Sequence, residues 1–197
     1  MGKGEQTRAL ILARAAQLFN VQGYAGSSLS DVMRATGLEK GGIYNHFGSK
    51  EQLALEAFDY NLTLLRERLR LALNGKRNAI ERLYVYITHF ERLLSDPPVS
   101  GGCPIMNTAI EADDTNPPLR ERARAAMEEL RGALARIVAK GIERGEVRPE
   151  VDSEAAASVF IATLEGGIML SKLYDDPAHL RYAAAHLRLV VEAYRKE

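Results

Sequence analysis

A single cysteine, Cys103, stands among 197 residues, so no intrachain disulfide framework can hold this chain together. Tryptophan is absent and net charge is zero. No apolar run approaches the roughly 20 residues that a bilayer span needs, because Glu165 interrupts the best stretch, Ala155 to Leu170. The N-terminus has no hydrophobic segment of the kind that directs secretion, so the expected compartment is the cytoplasm and no membrane partner is expected. Catalytic signatures are missing as well. No glutamate is followed three residues later by histidine, which a di-iron helical bundle requires. There is no His-Glu-x-x-His, no glycine-rich phosphate loop and no Gly-x-Ser-x-Gly elbow, so the chain is not expected to be an enzyme or to carry a cofactor. His179 and His186 lie seven residues apart on one helical face, but two histidines without a third ligand do not make a metal site.

Against these absences stands helical periodicity from end to end, with 46% hydrophobic residues to build a core and no strand alternation, and the chain reads as all-α. Charge is unevenly placed. Residues 1 to 50 carry six basic groups (Lys3, Arg8, Arg14, Arg34, Lys40, Lys50) and three acidic ones (Glu5, Asp31, Glu39), leaving 20 basic and 23 acidic groups beyond. A basic head on an acidic body suits a nucleic-acid partner, which the zero total would otherwise disfavour.

Within that head, Ser28 to Phe47 reads SLSDVMRATGLEKGGIYNHF. Ser28 and Asp31 have capping-box spacing, Val32 and Met33 mark a buried face, and Gly37 can end the helix with positive φ. Leu38 closes the turn, and a very short second helix follows from about Glu39 to His46. Ile43 and Phe47 anchor it from beneath, which leaves Lys40, Gly41, Gly42, Tyr44, Asn45 and His46 facing outward. Two adjacent glycines cost about 1 kcal/mol each in a helix, so close approach of another molecule is the reason expected for them. Asn45 can read adenine bidentately, Lys40 can reach guanine or phosphate, and Tyr44 and His46 can donate to phosphate. Ser28, Ser30 and Lys50 complete the candidate DNA-contacting set.

The first fifty-five or so residues resemble the DNA-binding domain of the TetR family of transcriptional regulators. The resemblance rests on Gly23-Tyr24, the serine-rich cap, Gly37-Leu38, Gly41-x-Ile43-Tyr44-x-His46-Phe47 and Ser49-Lys50-Glu51-x-Leu53. One position departs: Glu39 stands where that family often has a serine, which weakens a local phosphate contact. The division expected is a DNA-binding domain at 1–50, a connecting helix at 51–75 and a ligand-binding and dimerisation domain at 76–197.

The resemblance implies a body that encloses a small-molecule cavity. Candidate ligand contacts are Tyr86, His89, Phe90, Cys103, Met106, Asn107, Ile110, Glu111, Met127, Leu130 and Phe160. Each has an alternative as core, or as a polar group satisfied by backbone. It also implies that the last two helices pair with their copies in a second subunit, through Phe160, Leu164, Gly167, Ile168, Leu180, Ala184, Leu187, Val191 and Tyr194; otherwise these residues complete the monomer core. The implied function is a homodimeric regulator, a repressor released from a palindromic double-stranded operator by a small-molecule effector. A second reading makes it a redox or electrophile sensor acting through Cys103, which precedes Pro104 and would sit at a helix N-cap; the alternative fate of that thiol is a small buried hydrophobe.

Overall fold

Several of the helices begin where a side chain satisfies the exposed amides of the first turn. The protein, seen in a computed structural model that describes residues 2–196, has nine helices and no strand among those residues, in keeping with the all-α expectation. In chain order they are α1 (Lys3–Gln22), α2 (Leu29–Thr36), α3 (Lys40–Tyr44), α4 (Lys50–Leu73), α5 (Ala79–Ser95), α6 (Pro104–Ala112), α7 (Pro117–Glu143), α8 (Ser153–Tyr174) and α9 (Ala178–Tyr194).

The caps follow the sequence closely. The Ser28 hydroxyl accepts from the Asp31 amide at 3.2 Å while the Asp31 carboxylate accepts from the Ser28 amide at 2.7 Å, the reciprocal box that starts α2. Asn78 caps α5, Asn116 caps α7 ahead of Pro117, and Asp152 caps α8. Gly37 closes α2 in the left-handed region at φ 69°, where a side chain would be strained.

The chain forms two compact units. The first contains the chain up to Arg66 together with Pro98–Ala125, so α6 and the start of α7 are grouped with the N-terminal helices. Ile11, Ala15, Ala16, Val32, Ile43, Phe47, Leu53 and Ala57 form its core, with Leu38 and Tyr60 packed against it. Two long-range polar ties hold α6 and its preceding loop in place. Asn20, buried at the end of α1, donates to the Ser100 carbonyl at 2.7 Å, and Asn107 of α6 donates to the Asn20 and Gly101 carbonyls at 3.1 and 2.9 Å. Gly101 passes so close to Asn20 that a Cβ there would lie 2.5 Å from the Asn20 carbonyl oxygen.

The second unit, Glu67–Pro97 with Ala126–Glu197, is built on α5, α8, α9 and the later part of α7. Helices α8 and α9 form a hairpin about a three-residue turn, and Gly167 lets them approach until a Cβ there would meet Ala183 at 2.9 Å. Arg188 of α9 pairs bidentately with Glu91 of α5 at 3.1 and 2.6 Å. Gly141 of α7 packs equally tightly on Ala79 and Val147.

One sequence expectation needs correcting here. Despite Glu165, α8 is 22 residues long and apolar enough, by length and composition, to cross a membrane. Half of its most apolar window is buried within the fold and Glu165 is itself buried, so α8 has the character of a core helix.

Candidate nucleic-acid interface

Helix α3 has five residues, too few to be stable alone, and is held from below. Ile43 and Phe47 are buried in the core of the first unit, and the Arg8 guanidinium lies over the Phe47 ring, 4.6 Å from its centre. With those two side chains inward, Lys40, Gly41, Tyr44 and Asn45 are exposed and Gly42 and His46 half-buried. Asn45 and His46 fall just beyond the helical residues, in the closing turn; the Asn45 amide still donates to the Gly41 carbonyl at 3.0 Å. The Lys40 ammonium lies 5.7 Å from the centre of the Tyr44 ring, so the two form one outward cationic–aromatic pair. Glu39 occupies the cap position of α3 without a side-chain cap bond.

The two glycines have no internal reason to be glycine. A Cβ on Gly41 would meet nothing within 4 Å, one on Gly42 would make ordinary contact with Leu38 at 3.7 Å, and neither has positive φ.

Ser28 and Ser30 are exposed at the start of α2, where Ser28 hydrogen bonds hold the Asp31 carboxyl below its usual range. Lys50 is less free than a phosphate-seeking lysine. Its ammonium donates to the Tyr24 carbonyl at 2.6 Å and lies 4.1 Å from the centre of the Tyr24 ring, and partial burial pulls its pKa down.

The chain belongs to the TetR family. Residues 11–57 match the family model described as bacterial regulatory proteins, tetR family, and residues 79–187 match the tetracyclin repressor-like C-terminal domain. The chain is similar to a TetR transcriptional regulator of Chloroflexus aurantiacus J-10-fl, at 49% identity and TM-score 0.95 over 100% of this chain and 99% of that one. A TetR-family regulator of Cytophaga hutchinsonii is 35% identical with TM-score 0.89, covering 100% and 98%. The HTH-type transcriptional regulator LmrA of Bacillus subtilis is 30% identical over 84% of this chain and 86% of its own. Membership of the TetR family makes this a helix-turn-helix DNA-binding regulator, with α2, the Gly37 turn and α3 as its helix-turn-helix.

The residues expected at a ligand site are divided between the two units. Cys103, Met106, Asn107, Ile110 and Glu111 belong to the first unit; Tyr86, His89, Phe90, Met127, Leu130 and Phe160 belong to the second. Asn107 and Glu111 have hydrogen-bond partners within the first unit. The Glu111 carboxylate accepts from the amides of Tyr24 and Ala25 at 2.9 and 2.7 Å, bracing the loop that leads into α2. Ile110 is 64% exposed. Cys103 does occupy the N-cap of α6 ahead of Pro104, yet at 3% exposure it is a buried small side chain, closed to oxidants in this conformation. His89 fares differently. It is nine-tenths buried and lines a groove of about 540 Å3 along the end of α4 and the outer face of α5, with Arg68, Leu71, Tyr84, Val85 and Arg92. Burial and the Arg68 and Arg92 charges push its pKa down to about 4, which keeps the imidazole neutral at pH 7.

The residues expected at a dimer interface point the other way. Phe160, Leu164, Gly167, Ile168, Leu180, Ala184, Leu187 and Val191 are buried within one chain, and Tyr194 is half-buried, so they form the unit's own core. The outward face carries Val159, Met169 and Leu173 on α8 and Tyr182 (69% exposed) and Leu189 (71% exposed) on α9. Each set recurs at helical spacing. The His179 ring lies tilted against Tyr174 and edge-on to Tyr182, with ring centres 5.2 and 6.5 Å apart. Among the described residues no group of three or more His, Cys, Asp or Glu is placed to hold a metal.

Proposed function

We propose that the protein is a homodimeric repressor that reads a palindromic operator with two copies of α3 and leaves it when a small molecule binds the body. The observation that carries this reading is the outward surface of α3: Lys40, Gly41, Tyr44 and Asn45 exposed over the buried pair Ile43 and Phe47. A five-residue helix reads too few bases alone, so two copies spaced by about 34–36 Å are required. The exposed apolar face of α8 and α9 supports pairing with a second copy, because monomers rarely leave so contiguous a set open to water. Repression, rather than activation, is supported by the match to the tetracyclin repressor-like domain.

Regulation is proposed to enter through the second unit, where the neutral His89 offers one donor and one acceptor to an effector in the groove. Helix α4 supports the coupling, since one unbroken helix carries Lys50, which holds Tyr24, and Arg68 and Leu71, which line the groove. Such coupling is reciprocal: an effector that weakens DNA binding is itself bound more weakly by the DNA complex. The protein is proposed to work in the cytoplasm, without a cofactor and without turnover of its effector.

A gel-shift titration against the DNA upstream of the protein's own gene tests the reading. Retarded complexes that appear only at dimer concentration, and that competitor DNA of random sequence fails to displace, are the result expected. Binding that random DNA removes equally well would refute it.

A further inference from the structure

Away from the helix-turn-helix and from the His89 groove, the second unit gathers five cations in one cleft. Arg82 faces it from α5; Arg136 and Lys140 face it from α7 and Arg144 from the turn that ends α7; Arg77 closes it from the loop before α5. Arg136, Lys140 and Arg144 are spaced every four residues along the end of α7 and the turn that follows it. None of the five makes an ion pair among the described residues, although arginines elsewhere on the surface pair freely. Arg144 gives one hydrogen bond, to the Arg77 carbonyl at 3.1 Å. The Nε of Arg82 is buried with no hydrogen-bond partner among the described residues. A buried N–H of a charged group left unmade is costly, and like charges so placed repel one another.

No carboxylate among the described residues lines the cleft, and two act on residues that do. Glu146 is engaged with the Ala79 amide at 2.7 Å, and Glu129 makes its charge felt at the buried Tyr86 phenol, as do Arg82 and Arg136. The first amides of α5 are already taken by Glu146 and Asn78, so the positive potential comes from the side chains. The close packing of Gly141 on Ala79 brings α5 and α7 together and gives the cleft its floor. Its volume, about 210 Å3, falls below the roughly 300–1,000 Å3 of pockets that take whole organic ligands. It suits a compact anion.

We propose that this cleft binds a compact phosphoanion with at least two negative charges, free pyrophosphate or the diphosphate end of a larger molecule. Guanidinium forks match phosphate oxygens bidentately, and Arg82, Arg136 and Arg144 supply three such forks around one small volume. A duplex backbone is the competing source of phosphate, and competition by duplex DNA distinguishes the two. The site stands apart from the DNA-binding reading and is tested without an operator.

Isothermal titration of the full chain with inorganic pyrophosphate checks it. Saturable binding at one site per chain is expected, at least about tenfold tighter than inorganic phosphate, with a melting temperature that rises with pyrophosphate concentration. Arg136→Gln with Lys140→Gln, both at exposed helical positions that leave the fold intact, should weaken binding by about tenfold or more, and Arg82→Met should do so again. Circular dichroism of each variant confirms that it is folded. Absence of saturable heat, unchanged affinity in the double variant, or displacement of pyrophosphate by duplex DNA that lacks an operator would each overturn the proposal.

Discussion

Glu111 and Tyr24, 87 positions apart in the chain, are joined by a 2.9 Å hydrogen bond from the Tyr24 amide to the Glu111 carboxylate. Lys50 takes the carbonyl of the same tyrosine at 2.6 Å and lies against its ring. Tyr24 is thereby clamped from both sides, by α6 through its N–H and by α4 through its C=O. The loop that delivers the chain into α2 is fixed by helices outside the helix-turn-helix, so the aim of α3 depends on α4 and α6.

Glu111→Ala should therefore act at a distance. Two amides lose a charged acceptor, a loss of about 1–3 kcal/mol in stability. Operator affinity should fall while base preference is kept, because no base-reading side chain changes. Urea denaturation together with binding to operators carrying single base changes checks both halves; an altered base preference would show that Glu111 does more than brace the loop.

Gly41→Ala should separate folding from function. With no neighbour within 4 Å of the added methyl, the variant should gain up to about 1 kcal/mol of stability through helix propensity and yet bind operator DNA more weakly. A thermal melt beside a gel shift gives the comparison; undiminished DNA binding would remove the close-approach reason for this glycine.

Asn45→Ala and Lys50→Ala should differ in kind. The first should cost about 1–3 kcal/mol on the operator and relax one base position, with stability unchanged, since Asn45 is exposed. The second should weaken all DNA sequences alike and also lower the melting temperature, because the Tyr24 carbonyl loses its donor. Equal stability of the two variants would contradict the structural role given to Lys50.

Leu173→Glu with Leu189→Glu should yield a folded monomer that no longer binds operator, whereas Leu187→Ala should unfold the chain more readily by about 2–5 kcal/mol. Leu189 is 71% exposed and Leu187 2%, although only Arg188 separates them on α9. Sedimentation and denaturation distinguish them.

His89 sets a pH dependence. Its folded pKa of about 4 lies below the 6.5 of the unfolded chain, so between these values the unfolded state binds the extra proton. The neutral imidazole's contribution is complete above pH 6.5 and is lost as pH falls toward 4, by on the order of 3 kcal/mol. His89→Leu should flatten stability across that interval. Parallel pH profiles for variant and parent would assign the acid sensitivity elsewhere.

How far these features could be read in advance follows from the range of the interactions that make them. The Ser28–Asp31 box, the Gly37 turn and the inward pair Ile43 and Phe47 are local, decided within four residues, and the sequence displays them. The dimer face is different. Helix α8 is apolar nearly all round, so periodicity marks it as helical without saying which side faces inward, and the residues expected outside proved to be core. Asn107, Glu111 and Lys50 took structural partners between 26 and 87 positions away, contacts that carry no trace in local spacing.

Selection of duplexes from a random pool by the purified protein tests the central claim most directly. The account predicts enrichment of a two-fold symmetric sequence whose half-site centres lie about one helical turn or a multiple of it apart, with one position in each half-site relaxed when Asn45→Ala replaces the parent. Enrichment of a lone, asymmetric site, or of no sequence at all, would contradict the paired presentation of α3.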